Sequence, residues 1–216
     1  MTRVESRSWI LVRRGSLLPL ALLGVGAAVL SLLAGPLDPT RAAASDFPSL
    51  VMVWRDAANY GINGTPGSQT FRLDYTDRCH QRVTLLEHSA LPDVAGSFTQ
   101  FDGRTEITHD PRHRPDDVRS IGPADCWPPD RYLLVPIAMG GVREIAARPG
   151  WTQKPTGDGL AVLTYDGTLP IADGVAHEQI EITYRPVDGL PTRVVYVVNG
   201  REAQRREVLE LHVGKL

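Results

Sequence analysis

The stretch that decides the fold is Tyr184-Arg185-Pro186-Val187-Asp188-Gly189-Leu190-Pro191-Thr192-Arg193-Val194-Val195-Tyr196-Val197-Val198-Asn199-Gly200. Asp188-Gly189 and Asn199-Gly200 are turn chemistry, because Gly and Asn accept the positive φ that tight turns demand. The segment between them is mostly β-branched and aromatic, which suits a strand. Residues 175–184 before it and 202–211 after it have the same character. Strand, turn, strand, turn, strand is the signature of antiparallel pairing.

The same alternation extends towards the N-terminus. Leu50-Val51-Met52-Val53-Trp54 is an apolar run of strand length. Residues 70–75 alternate strictly, with Phe71, Leu73 and Tyr75 on one face. Residues 81–88 and 160–165 read as further strands. Residues 97–101 and 104–109 flank Asp102-Gly103 and read as a hairpin. About nine strands with little helix predict a mainly β, antiparallel domain over residues 47–216. The strands from residue 71 onward are expected to form one meander. Residues 110–130 interrupt the pattern with Pro111, Pro115, Pro123, Pro128, Pro129 and scattered charges, and are expected to form a long irregular loop. The apolar segment from Tyr132 to Met139 is a short helix interrupted at Pro136, or a strand. With that loop it is left to cover the sheet. Leu133, Leu134, Ile137 and Met139 are therefore expected to face Trp54, Phe71 and Tyr75, and these seven are the candidate ligand-lining residues.

The quoted stretch, continued through Glu207-Val208-Leu209-Glu210-Leu211, resembles the terminal hairpin of the LolA, RseB and LppX/LprG superfamily of exported bacterial β proteins. Phe98 to His109, with Asp102-Gly103 at its turn, resembles an earlier hairpin of that group. The resemblance covers roughly residues 67–216. It implies a strongly curved antiparallel sheet, a half-open barrel, with a covering loop or short helix over a hydrophobic hollow. It also implies acyl-chain binding in some members and binding of envelope proteins in others.

The N-terminus bears on location. Arg3, Arg7, Arg13 and Arg14 precede an uncharged run from Gly15 to Leu37. About 20 apolar residues suffice to cross a bilayer as a helix. Positive charge before the run places residues 1–14 in the cytoplasm and the domain outside. Ala42-Ala43-Ala44-Ser45 matches a signal-peptidase site, so cleavage after Ala44 is the alternative to an uncleaved anchor. The length of the run favours the anchor, with residues 38–46 as linker and the cell membrane as the location. No Cys follows the run, so there is no lipobox, and attachment would be by the helix itself.

The whole chain carries a formal net charge of −2. Residues 1–44 hold five Arg against Glu5 and Asp38, so the remainder is at −5. A mildly acidic domain without a basic block is not expected to bind nucleic acid. The two cysteines, Cys79 and Cys126, both lie in the exported part, where a lone pair most often forms one disulfide.

Catalytic chemistry is not legible. His109 and His113, with Asp110, Asp116 and Asp117, form the densest group of metal-ligand types, but the prolines between them argue for a solvated loop. His80 beside Cys79 would suit a thiol nucleophile, which a disulfide abolishes. No phosphate loop or nucleophile elbow occurs. The expectation is a non-enzymatic, membrane-anchored domain without metal or cofactor, binding a lipid or other apolar ligand in the hollow of its sheet. The alternative is an envelope sensor or interaction module, packed solid, that binds a partner protein.

Overall fold

A run of five apolar residues cannot alternate between core and water, so it marks a strand covered on both faces. Leu50 to Trp54 is such a run, and all five residues are buried. They open β1 (Leu50–Ala58), which lies inside one eleven-stranded sheet. The computed structural model describes residues 47–59, 66–135, 137–138, 140–171 and 174–214. The basic N-terminal region, the apolar run, the linker and Met139 lie outside them. No helix among the described residues is long and apolar enough to cross a membrane.

From β1 the chain steps outward through β2 (Gly67–Asp77), β3 (His80–His88), β4 (Phe98–Asp102), β5 (Thr105–Asp110) and β6 (His113–Ser120). It resumes at the opposite edge with β7 (Trp151–Pro155). It then steps inward through β8 (Ala161–Ile171), β9 (Gly174–Tyr184), β10 (Pro191–Val198) and β11 (Arg201–Val213). β11 pairs with β1, and all neighbouring strands are antiparallel. β6 and β7 are the two edges, so the sheet is open. The tight turns are where the dipeptides placed them: Asn199 and Gly200 have φ of 49° and 73°, and Gly103 has 62°.

Because the chain leaves one edge and re-enters at the other, residues 121–150 must cross the sheet. They carry α1 (Pro129–Leu134) and α2 (Val142–Ala146) over one face, the inner face. Register fixes which side chains meet there, since cross-strand partners share a face. Leu50, Met52 and Trp54 stand opposite Tyr75, Leu73 and Phe71 of β2. Together with Leu163, Ile182 and Val194 from the far half, they join Leu133, Leu134, Val142 and Ile145 in one apolar cluster.

Three expectations need correction. Residues 110–130 are not one irregular loop, because His113–Ser120 forms β6 on β5. Every residue of β6 is exposed, so it carries no hydrophobic alternation to read, and its charges and Pro115 are what an edge strand uses against further pairing. β7 was missed for the same reason: its last four residues, Thr152 to Pro155, are exposed. Nor is the sheet a single meander. Two meanders meet where β1 pairs with β11, a contact between strands that are nearly the whole domain apart in sequence.

Candidate functional site

Six of the seven sequence-derived lining candidates are brought together, and the seventh, Met139, lies outside the described residues. Trp54, Tyr75, Leu133, Leu134 and Ile137 belong to the buried cluster, and Phe71 packs against it half-buried. Leu133 and Leu134 have no exposed surface. Trp54 stacks on Phe71 at 5.2 Å between ring centroids. Tyr132 extends this aromatic series, 6.3 Å from Trp54 and 5.7 Å from Trp127.

The helical cover is fastened by polar groups. Arg206 lies on the inner face of β11, opposite Asp56 of β1, and is almost fully buried. Its Nε donates to Asp56 Oδ2 at 2.9 Å. Its Nη1 donates to the carbonyls of Tyr132, Leu133 and Val135 at the C-terminal end of α1. Those carbonyls have no partner within the helix, and a cation there also suits the helix dipole. Gln204 Nε2 holds both oxygens of Asp56, at 2.8 and 2.9 Å.

Asp130, in the first turn of α1, caps the other helix. Its Oδ2 accepts the N–H of Val142 at 3.2 Å. A Cβ at Gly141 would lie 2.5 Å from that oxygen, so any larger residue there has to push the carboxylate aside. Burial pushes the Asp130 carboxyl up to about 6; the Val142 hydrogen bond opposes this and the Glu144 charge adds to it. Cys79 and Cys126 form a disulfide with Cα atoms 5.1 Å apart. It ties the β2–β3 turn to the segment leading into α1, and it removes the thiol nucleophile considered beside His80.

The histidine-rich segment is strand rather than loop. His109 on β5 bonds Asp116 of β6 at 2.7 Å, and His113 bonds Asp110 at 2.9 Å. Burial works against the Asp110 charge, but hydrogen bonds from Arg112 and His113 outweigh it and hold the carboxyl well below its usual range. Among the described residues no group of three or more such side chains could hold a metal ion.

Sequence reasoning missed Asp56, Arg206, Asp130, Gln81 and Glu106. A signal existed for two of them. In β11 the inner-facing positions run Gln204, Arg206, Val208, so a charge at the middle one stands on the covered side of the sheet. In β5, Glu106 alternates with outward-facing Thr105 and Ile107. Asp130 gave no such signal, because its burial depends on where the crossing connection lies.

No protein-family model matches the sequence, and no curated protein matches it significantly. Solved structures do. An uncharacterized conserved protein from Thermus thermophilus aligns over 76% of this chain and 80% of its own, at 11% identity and a TM-score of 0.39. The MucA/MucB complex of Pseudomonas aeruginosa aligns over 77% of this chain and 52% of that one, at 17% identity and a TM-score of 0.41. A LolA superfamily protein from Nitrosomonas europaea aligns over 79% and 88%, at 10% identity and a TM-score of 0.38. The last bears the name of the group that the terminal hairpin resembles.

Proposed function

We propose that residues 47–216 form a non-enzymatic extracytoplasmic binding domain, held at the cell membrane by residues 15–37. It takes a lipid or other apolar ligand in the hollow of a curved sheet. The observation that carries this reading is the extent of the apolar inner face relative to its cover. α1 and α2 have six and five residues, each under about 10 Å long. Eleven strands would span roughly 50 Å if laid flat. Phe71, Trp151, Tyr165, Tyr196, Val208 and Leu211 accordingly stay half-buried around the cluster. A contiguous apolar surface of this kind is a binding surface by default. Curvature is supported by the cluster itself, which joins Tyr75 of β2 to Leu163 of β8, five strands away in the sheet.

Native mass spectrometry of the full chain, purified from its host, tests the reading. A co-purified lipid or other apolar small molecule is the expected result. A bare protein that also fails to take up an apolar dye overturns it. One observation favours the second reading, an envelope interaction module that binds a partner protein. Leu133, Leu134, Val142 and Ile145 are at most 1% exposed, so the space directly beneath the helices is filled by the domain's own side chains. Stable association with a protein, and no bound apolar molecule, is the result that selects it.

A further inference from the structure

The inner face is not uniform. On the β8–β10 side it presents Ala161, Leu163, Ile180, Ile182, Tyr184 and Val194. On the β3–β6 side, one row of cross-strand partners runs Tyr75, Gln81, Phe101, Glu106, Arg119. The next row adds Thr99, Thr108 and Asp117. Two apolar-sized positions in a covered row are thus taken by Gln81 and Glu106, which are 4% and 5% exposed.

These groups are under-used by the protein. The Gln81 amide nitrogen donates to the carbonyls of Trp127, at 2.9 Å, and of Arg78. That fixes the amide and leaves Oε1 buried without a donor among the described residues. Arg119 sends both of its hydrogen bonds to Glu106 Oε2 and uses Oε1 for neither. The Tyr132 hydroxyl is also buried without a partner among the described residues. Its ring touches Trp127, whose carbonyl holds Gln81. Buried polar groups are nearly always satisfied, so unsatisfied ones that gather at one place ask for an explanation.

We infer that this row, with Trp127 and Tyr132 above it, is a subsite for the polar end of an apolar ligand, and that this end is a hydrogen-bond-donating cation of the primary ammonium class. The inference rests on the apolar-ligand reading above. Of the buried atoms without a partner there, Gln81 Oε1 only accepts, the Tyr132 hydroxyl accepts or donates, and Arg131 Nε, beside Trp127, is the one donor. Burial, then the Glu106 charge and Tyr75, raise the Tyr132 phenol, so it stays neutral, and Glu106 and Tyr75 lie within electrostatic reach of it. Glu106, Asp125 and Asp117 all act on the Arg119 guanidinium. Arg131 lies against Trp127 at 5.3 Å. Three carboxylates thus surround the Arg119 end of the row. The aromatic rings offer faces to a cation. An acceptor-only end group cannot bond Gln81 Oε1, the one unpartnered buried atom in the row itself.

The test uses the full chain in lipid nanodiscs and two photo-activatable twelve-carbon probes with the same chain-borne diazirine. One ends in a primary ammonium and the other in trimethylammonium, which has the charge but no N–H. Peptide mapping reads the labelling of inner-face strands. The expected result is at least fivefold more labelling by the primary ammonium probe. Tyr132→Phe and Glu106→Gln should each reduce that preference to below twofold while the chain still melts cooperatively. Tyr132→Phe is informative here, because removing an unpartnered buried hydroxyl should not harm a purely structural residue. Equal labelling by both probes, or a preference that survives both substitutions, overturns the inference and leaves the apolar-ligand reading standing. If neither probe labels the inner face, the apolar-ligand reading falls and takes the inference with it. Ethylammonium that suppresses the preference at equal concentration assigns the same row to a free amine instead of a ligand's end group, and so overturns the end-group assignment.

Discussion

A guanidinium beneath a helical cover is unfavourable unless each of its donors finds an acceptor. Arg206 finds them for Nε in Asp56 and for Nη1 in three carbonyls of α1 and the residue after it. Arg206→Met keeps the bulk and removes the donors. It should cost about 3 kcal/mol, since it leaves the Asp56 charge without its counter-ion and the helix carbonyls without their donor. Urea unfolding measures this, and the Asp56→Ala/Arg206→Met double variant should lose less than the sum of the two single losses. Asp130 makes a prediction with a definite sign. Its folded value of about 6 lies above the ordinary 3.8. The folded state therefore holds a proton that the unfolded state has released, and stability falls as pH rises through that interval. The contribution is full below about pH 4 and lost above about pH 6, an effect of roughly 3 kcal/mol. Burial lowers half-buried His88 from its ordinary value, which contributes with the opposite sign. The readout is therefore the difference between wild type and Asp130→Asn from pH 4.5 to 7. Asparagine can still accept from Val142, so the variant should be the more stable of the two at pH 7. A pH-independent difference would contradict the assignment.

At the scale of elements, the crossing connection is held at several points. One is the disulfide, which closes a separation of 47 residues. In the chain-entropy view, a loop of that length stabilises the fold by about 4 kcal/mol. Reduction should lower the melting temperature clearly, and an unchanged melting curve would rule out the bond as a structural tie. A second hold is apolar. Leu134 is fully buried between α1 and the sheet. A carboxylate there has no partner, so Leu134→Asp should unfold the domain by circular dichroism rather than merely block ligand uptake. Survival of the β signal with loss of apolar-dye binding would instead mean that the space around α1 can open.

For the whole molecule, the order of the strands sets where stability resides. β1 is buried on both faces over its first five residues and bonded on both sides, and its pairing with β11 joins the two halves. β6 is exposed along its whole length and bonded on one side. Amide exchange should therefore be slowest in β1, β2 and β11 and fastest in β6 and β7. Uniform protection across the sheet would argue against this hierarchy. Location belongs to this scale too. If residues 15–37 anchor the protein, the mature chain will fractionate with membranes and resist carbonate extraction. A soluble product that begins at Ser45 would establish cleavage.

Local chemistry alone determined the strand-rich character of this protein, its turns at Asp102-Gly103 and Asn199-Gly200, and the apolar run of β1. Each of these follows from alternation or from the φ that a turn residue allows, which are properties of neighbours in sequence. The pairing of Cys79 with Cys126 was also legible, because a chain with only two cysteines allows a single intramolecular bond. That Phe71, Leu73 and Tyr75 share the covered face was legible because side chains at period two lie on one side of a strand. The edges β6 and β7 were not legible, because an exposed strand buries nothing and so leaves no hydrophobic pattern. The pairing of β1 with β11 was hidden as well, since register between distant strands is decided by the face they bury together. That pairing sends residues 121–150 from edge to edge. It thereby lays α1 over Arg206, closes Asp130 against Val142 and sets Tyr132 above Gln81 and Glu106. These polar groups owe their burial to that crossing, which exists only once the whole sheet has formed.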